Sequence, residues 1–342
     1  MCISLNAGRG VCGRRSDLRV LQVIPGDGRG SNFIFSRRQV QSLHNFPLAL
    51  ESFFFDTRKS ALAFAKACAS LRHALQRFRP DIVHVHYGTM AALACALVVD
   101  RPLVATFQGS DLNPEPGINW FRAHMGPVLS QLAALRCSRL ICVSRQLSKQ
   151  LWWRKARIIV LPIGVNLDEF KYIGRNEARR QLGWDTSEPV LLFNAGRSPV
   201  VKALDLAEKV VARLSQTFRF RFEVMRGDTP PERVPLLMSG ADCLLVTSRS
   251  EGSPMVVKEA LACALPVISV DVGDVRERLE GVWPSSIVSR NPDDIAEAVR
   301  GVLETPVRSN GRKAAEAISQ QRVAVQLLAV YEGIVETHAH VA

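Results

Sequence analysis

Ser250-Glu251-Gly252-Ser253-Pro254-Met255-Val256-Val257-Lys258-Glu259-Ala260 follows Cys243-Leu244-Leu245-Val246-Thr247, a short apolar run bounded by turn residues. Its length and composition predict a buried strand. Ser253 suits a helix N-cap and Pro254 the first helical position, so unpaired first-turn amides should face whatever lies beyond the strand's carboxyl end. A phosphate fits there. Glu251 in the loop and Glu259 eight residues on, in the second helical turn, can flank one ligand. Carboxylates repel phosphate but accept hydrogen bonds from sugar hydroxyls. Glu251, Gly252, Ser253, Pro254, Met255 and Glu259 are therefore candidate contacts to a ligand carrying both phosphate and sugar.

The strand-then-helix order recurs along the chain. Strands are predicted at Leu18 to Ile24, Ile82 to His86, Leu103 to Thr106, Leu140 to Val143 and Ile158 to Leu161, then at Val190 to Asn194, Arg221 to Met225, Cys243 to Thr247, Pro266 to Val270 and Ser286 to Val288. Helical patterns lie between them, among them Phe33 to Leu43, Thr57 to Phe78 and Ala203 to Leu214. The alternation implies two doubly wound α/β domains with mainly parallel sheets, whose ligands lie beyond the strands' carboxyl ends in an interdomain cleft. The length of 342 residues also favours two domains. Arg197 after one such strand and Lys202 before the next helix could clamp a diphosphate against the Ser253 end, Arg with forked donors and Lys as a point charge.

These residues resemble a known family. Glu251 to Glu259 is similar to the E-x7-E motif of the retaining, nucleotide-sugar-dependent glycosyltransferases of family 4, which have the GT-B fold. Arg79-Pro80-Asp81-Ile82-Val83-His84-Val85-His86 resembles that family's PDIVHxH strand, and Thr106-Phe107-Gln108-Gly109-Ser110-Asp111 its TxHGSD loop. Arg197 and Lys202 resemble its basic pair, and Gly164 to Phe170 its interdomain segment. The resemblance covers roughly residues 18 to 335. It implies that Arg197 and Lys202 hold the diphosphate and stabilise the leaving nucleotide, that Glu251 holds donor-sugar hydroxyls, and that Glu259 holds the ribose. It also implies front-face attack with the departing phosphate as base. The expected organisation is an extension at 1–17, an acceptor-binding Rossmann-like domain at 18–165, a nucleotide-sugar-binding domain at 166–312, and a C-terminal segment at 313–342. The helical pattern Ala314 to Glu336 is expected to cross back onto the N-terminal domain.

Candidates on the N-terminal side are Gly28 and Gly30, in a glycine-rich turn after the first strand, His86 at a strand end, and Gln108 and Asp111. Gln108 stands where most relatives carry His, so proton transfer there is not expected, and Asp111 becomes the candidate for orienting the acceptor. His84 and His86 share a strand face, yet no third and fourth ligand accompanies them and no D-x-D motif occurs. No metal and no cofactor is expected; the nucleotide sugar is a co-substrate. Residues Met225 to Asp228 run into Val234 to Ala241 without the extra strand and helix common in the family, which leaves UDP and GDP both open as donors.

Composition narrows the partners. The eight cysteines form no C-x-x-C pair and sit in apolar patterns, as reduced thiols in a cytosolic protein would. Met1 to Asp17 lacks the continuous apolar region of a signal peptide, and no apolar run reaches membrane-spanning length. Residues 1–170 hold 22 Lys and Arg against 10 Asp and Glu, whereas residues 171–342 hold 22 of each. The basic N-terminal half points to an anionic membrane surface, through Lys59, Lys66 and Arg77 on one helix face and through Trp152-Trp153-Arg154-Lys155-Ala156-Arg157. A solvated outer helix face is the bland alternative. No nucleic-acid motif is present, so nucleic acid is not an expected partner. The expected function is transfer of a hexose from a nucleotide-diphosphate sugar to a glycan, lipid-linked, at the cytoplasmic membrane face in envelope or exopolysaccharide synthesis. The alternatives are a GT-B nucleotide-sugar epimerase and a non-catalytic sugar-nucleotide-binding protein.

Overall fold

The computed structural model describes residues 18–29, 32–56, 60–114 and 119–339. The extension at 1–17, Gly30 and Lys59 lie outside the described residues. Two parallel sheets organise the chain. The N-terminal sheet contains β1 (Leu18–Pro25), β2 (Leu48–Phe55), β3 (Ile82–His86), β4 (Leu103–Phe107), β5 (Arg139–Cys142) and β6 (Ile158–Val160), in the order β2-β1-β3-β4-β5-β6. The C-terminal sheet contains β7 (Val190–Gly196), β8 (Arg221–Arg226), β9 (Cys243–Val246), β10 (Val267–Val270) and β11 (Ser286–Val288), in the order β11-β10-β9-β7-β8. Every pairing is parallel. β3, β4, β9 and β10 are buried throughout, because helices cover both faces. This is the two-domain α/β architecture of the GT-B fold.

Chain direction reverses between β1 and β3 in the first sheet and between β7 and β9 in the second. Crevices open at such switch points. The glycine-rich turn follows β1, the segment holding Arg197 and Lys202 follows β7, and the Glu251 loop follows β9, so topology alone brings these loops to the facing ends of the sheets.

Three expectations need correction. The edge strand β2 has no counterpart among the strands expected from sequence. The helix expected from Thr57 begins at Ala61, where Ser60 accepts a hydrogen bond from the Ala63 amide at 3.1 Å. The last helical pattern is two helices, Arg312–Ala317 and Gln320–Ala339. The break falls where the main chain pairs with the interdomain segment: Val165 donates to the Ile318 carbonyl at 3.1 Å and Gln320 donates to the Val165 carbonyl at 2.8 Å. A Cβ on Gly164 would lie 2.5 Å from Gln320 Cα, so only glycine permits that crossing. The second helix then packs on the N-terminal sheet, burying Val323, Leu327, Tyr331 and Ile334 against Val20, Ile82 and Val104.

A fully buried ion pair ties the C-terminal domain. Asp242, at the start of β9, accepts from Arg179 Nη2 at 2.6 Å, Arg175 Nε at 2.6 Å and the Val190 amide at 2.8 Å. The Arg179 and Asp242 side chains are essentially inaccessible. Arg179 also donates to the carbonyls of Gly240, Asp185, Thr186 and Glu188. Removing one partner strands a buried charge. Asp242→Ala should lower unfolding stability by about 3–5 kcal/mol in urea titrations; an unchanged midpoint would mean that the carbonyls alone hold Arg179.

Candidate active site

A cavity of about 220 Å³ lies between the domains, lined by Phe35, Gln108, Val143, Ile163, Asn194, Lys202, Glu251, Glu259 and the run Gly252 to Val256. Its polar wall comes from two loops laced together at the carboxyl ends of β7 and β9. Thr247 Oγ1 donates to the Lys202 carbonyl at 2.9 Å and to the Ala203 carbonyl at 3.0 Å, and the Arg249 amide donates to the Val201 carbonyl at 2.8 Å. Arg290 secures the other side by donating to the carbonyls of Thr247 and Ser248. Lys202 ends the short helix Pro199–Lys202. Its Nζ reaches Glu251 Oε1 at 2.5 Å, and Ser248 Oγ donates to the same oxygen at 2.8 Å. The cation and the loop carboxylate therefore form a mostly covered pair at the cavity wall.

The helix after Glu251 is Met255–Ala262, with Pro254 in the cap position and no side-chain cap. Ser253 is not the N-cap: its hydroxyl donates to Asp274 Oδ2 at 2.7 Å. Arg278 Nε holds the same carboxylate at 2.9 Å, so the Ser253 hydroxyl is turned to a fixed acceptor, and no side chain caps the first-turn amides of the helix. Glu259 is buried, and its carboxylate accepts no hydrogen bond among the described residues. Burial pushes its carboxyl up to about 7, and Glu169 adds to the rise, while Arg38, Lys258 and Lys202 pull it back. Lys258 beside it points away, donating to the Ile163 carbonyl at 2.8 Å, and burial lowers its ammonium to about 8.

Lys202, Glu251, Gly252, Ser253, Pro254, Met255, Glu259 and Gln108 thus meet at one cavity. Arg197 stands outside that wall and reaches across to the N-terminal domain, donating to Asn32 Oδ1 at 3.1 Å. Gln108 Nε2 donates to Ser36 Oγ at 2.8 Å. Gly28 has a φ of +76° and packs on the Phe54 ring, which explains glycine there without a ligand. Two acceptor-side candidates are fully buried and do not line this cavity. His86 is fully buried, with Nε2 2.8 Å from Gln22 Oε1, and burial lowers the ring to about 3. It stays neutral inside the sheet and does not face the cleft. Asp111 is also fully buried and accepts from the amides of Gly88, Gln108 and Gly109 at 2.7–3.0 Å. It shapes the loop and does not face the cleft. His84 bridges Tyr331 Oη at 2.6 Å and Thr106 Oγ1 at 2.7 Å. Sequence reasoning missed Phe35 and Asn194. The position of Asn194, polar at the end of an apolar strand beside the switch point, is the signal that could have found it.

The chain is similar to known proteins. Residues 31–169 match the model described as Glycosyltransferase Family 4, and residues 188–305 match Glycosyl transferases group 1. The D-inositol 3-phosphate glycosyltransferase of Geodermatophilus obscurus is 31% identical over 57% of this chain and 52% of its own length. TuaC of Bacillus subtilis, assigned to teichuronic acid biosynthesis, is 29% identical over 68% of this chain and 64% of its own. The chain thus spans between half and two thirds of these relatives. Sucrose-phosphate synthase from Thermosynechococcus elongatus superposes with a TM-score of 0.79 at 17% identity, covering 93% of this chain and 100% of that one. Anabaena HepE in complex with UDP superposes with a TM-score of 0.69 at 17% identity, covering 92% and 100%. Both show the same fold.

The raised carboxyl of Glu259 has a consequence for stability. Its folded pKa of about 7 exceeds the ordinary value of 4.5, so the folded state holds more protons between those limits. That contribution is fully present below 4.5 and is lost as pH rises through 7. Glu259→Gln removes the titration while keeping the shape. The thermal midpoint of the variant should therefore exceed that of the unmodified chain at pH 8, with the gap closing toward pH 4.5. Parallel curves across this range would show that Glu259 titrates normally.

Proposed function

Starting from the chain's membership of glycosyltransferase family 4, we propose that it moves a hexose from a nucleotide-diphosphate sugar to a glycan acceptor with retention of anomeric configuration. The observation that carries this reading is the meeting of Lys202, Glu251, Glu259 and the first turn of the Met255 helix at one interdomain cavity. The diphosphate occupies the helix mouth, where amide N–H groups and the Lys202 ammonium offset its charge. In this proposal Arg197 exchanges Asn32 for a phosphate oxygen. Glu259, buried without a donor, takes the ribose hydroxyls, which stabilise its ionised form. Glu251 turns its free lone pairs to the donor sugar.

Catalysis follows from where charge develops. As the sugar–phosphate bond breaks, negative charge gathers on the departing diphosphate, and Lys202, Arg197 and the helix amides stabilise it. The acceptor enters from the N-terminal side past Gln108 and Phe35. Its hydroxyl gives its proton to the leaving phosphate and attacks the same face of the anomeric carbon. UDP leads the donors to be tried, since the neighbour HepE binds it. The acceptor of this proposal is a lipid-linked glycan at the cytoplasmic face of a membrane, in envelope polysaccharide assembly. The similarity to TuaC supports it, as do the six buried free thiols among the described residues, which suit a reducing compartment. The proposed mechanism uses no metal ion.

Lys202→Ala should reduce kcat/KM by about 1.5–3 kcal/mol, roughly ten- to a hundredfold, in a chain that stays folded. Rates like those of the unmodified protein would remove Lys202 from the clamp. In the same assays Glu251→Gln should lower kcat chiefly, whereas Glu259→Gln should weaken binding of the free nucleoside diphosphate. Unaltered nucleotide affinity in Glu259→Gln would refute the ribose assignment. Transfer should persist in EDTA; loss that Mg²⁺ or Mn²⁺ restores would overturn the metal-free mechanism.

A further inference from the structure

The helix Trp120–Ala134 carries an outward face that the cavity does not explain. Phe121, Met125, Val128, Leu132 and Leu135 are all exposed, and their spacing puts them on one side of the helix. Trp120, 72% exposed, begins the stripe. The opposite side, with Ala123, Ser130, Ala133 and Ala134, is buried against the helix Thr89–Val98. An ordinary surface helix reverses this pattern on its outer face, yet residues 123–135 contain no charged side chain at all. Gln131 ties a second aromatic element to the stripe. Its Oε1 accepts from the Trp152 amide at 3.1 Å, its carbonyl accepts from Trp153 Nε1 at 2.8 Å, and Trp152 remains 63% exposed. Arg154 Nη2 donates to the Leu135 carbonyl at 2.8 Å, which brings its charge to the C-terminal end of the stripe. Arg136 and Lys155 are exposed in the same region. Across residues 116–167 the chain has eight Lys and Arg and no Asp or Glu.

We propose that the exposed apolar stripe of the helix Trp120–Ala134, together with Trp152 and the rim Arg136, Arg154 and Lys155, is a docking surface for an anionic lipid bilayer. Phe121, Met125, Val128 and Leu132 enter the headgroup boundary, the two tryptophans sit at its level, and the cations meet lipid phosphates. Charge complementarity selects the occupant: a protein partner or second copy would not require a rim of one sign over so long a segment. This builds on the lipid-linked acceptor reading and differs from the surfaces expected from sequence. The helix Ala61–Phe78 offers a weaker case, since Arg77 there is engaged by Glu51, whereas the Trp152 to Arg157 segment becomes part of the larger patch.

The test is co-sedimentation with vesicles of phosphatidylglycerol and phosphatidylethanolamine against vesicles of phosphatidylcholine. The unmodified chain should bind the anionic vesicles, with Trp emission shifting to shorter wavelength, and added salt should weaken the binding. Phe121→Ser combined with Leu132→Ser should weaken it roughly tenfold or more, and Arg154→Gln combined with Lys155→Gln should reduce its salt dependence. Thermal midpoint and nucleoside-diphosphate binding should stay unchanged in both variants. No binding to anionic vesicles, or equal binding by the Ser variant, overturns the proposal. So does a concentration-dependent dimer that the same Ser substitutions abolish, which would make the face a self-association surface. Failure of the unmodified chain to bind any nucleoside diphosphate would instead strike the transfer reading and leave the vesicle result standing.

Discussion

The cleft depends on two stretches of main chain meeting without side chains between them. A Cβ on Gly252 would lie 1.8 Å from the Gln108 carbonyl oxygen, and one on Gly109 would lie 3.3 Å from the Gly252 amide. Behind them Gly273, at a φ of +60°, would bring a Cβ to 3.1 Å from the Gly252 carbonyl. Three glycines therefore let the loop after β4 touch the loop after β9. This contact lets residues of both domains line one small cavity and keeps Lys202 and Glu251 largely out of water. Asp111 belongs to the same constraint: by holding the amides of Gly88, Gln108 and Gly109 it fixes the shape of the loop that Gly252 meets.

Within the cleft, two carboxylates eight residues apart live in different surroundings, a difference that the proposed roles rest on. Glu251 is already satisfied by Lys202 and Ser248, so its charge costs little. Glu259 is buried and accepts no hydrogen bond among the described residues, and burial raises its carboxyl to about 7. A ligand that brings phosphate and hydroxyl groups alters both balances. Phosphate competes for Lys202 and frees Glu251 lone pairs, while hydroxyl donors stabilise Glu259 in its charged form. Binding energy would thus be spent where the cleft's own groups are least satisfied.

Much of this was legible because buried parallel strands announce themselves as short apolar runs ending in polar residues. The ends of the strands differ from expectation by one or two residues at most, as for Val190–Gly196 against Val190 to Asn194. β2 escaped because Leu48-Ala49-Leu50-Glu51-Ser52-Phe53-Phe54-Phe55 is a half-exposed edge without clean alternation. The motif residues located the cavity, yet sequence could not say what each side chain touches. Ser253 chooses Asp274, His86 chooses Gln22 and Asp111 chooses three amides, and each choice is decided by groups that only the fold brings together. Spacing identified the helix mouth correctly and misjudged its cap for the same reason.

The loop that begins at Gln108 links the cleft to the apolar helix. Asp111 Oδ2 accepts from the Gly88 amide at 2.9 Å, and Ser130 Oγ accepts from the neighbouring Thr89 amide at 2.8 Å. A Cβ on Gly88 would lie 2.2 Å from Ser130 Oγ, so loop, turn and helix are packed without slack. Ser130 is on the buried side of the very helix whose other side is the exposed stripe. A bilayer holding that stripe would therefore hold the Gln108 loop in a fixed orientation as well, and with it the acceptor-side wall of the cavity. On the proposed reading, the net positive charge of the N-terminal half, an outward apolar helix and a glycine contact to the C-terminal domain would be parts of one arrangement, in which a bilayer positions one domain and the other brings the nucleotide to it.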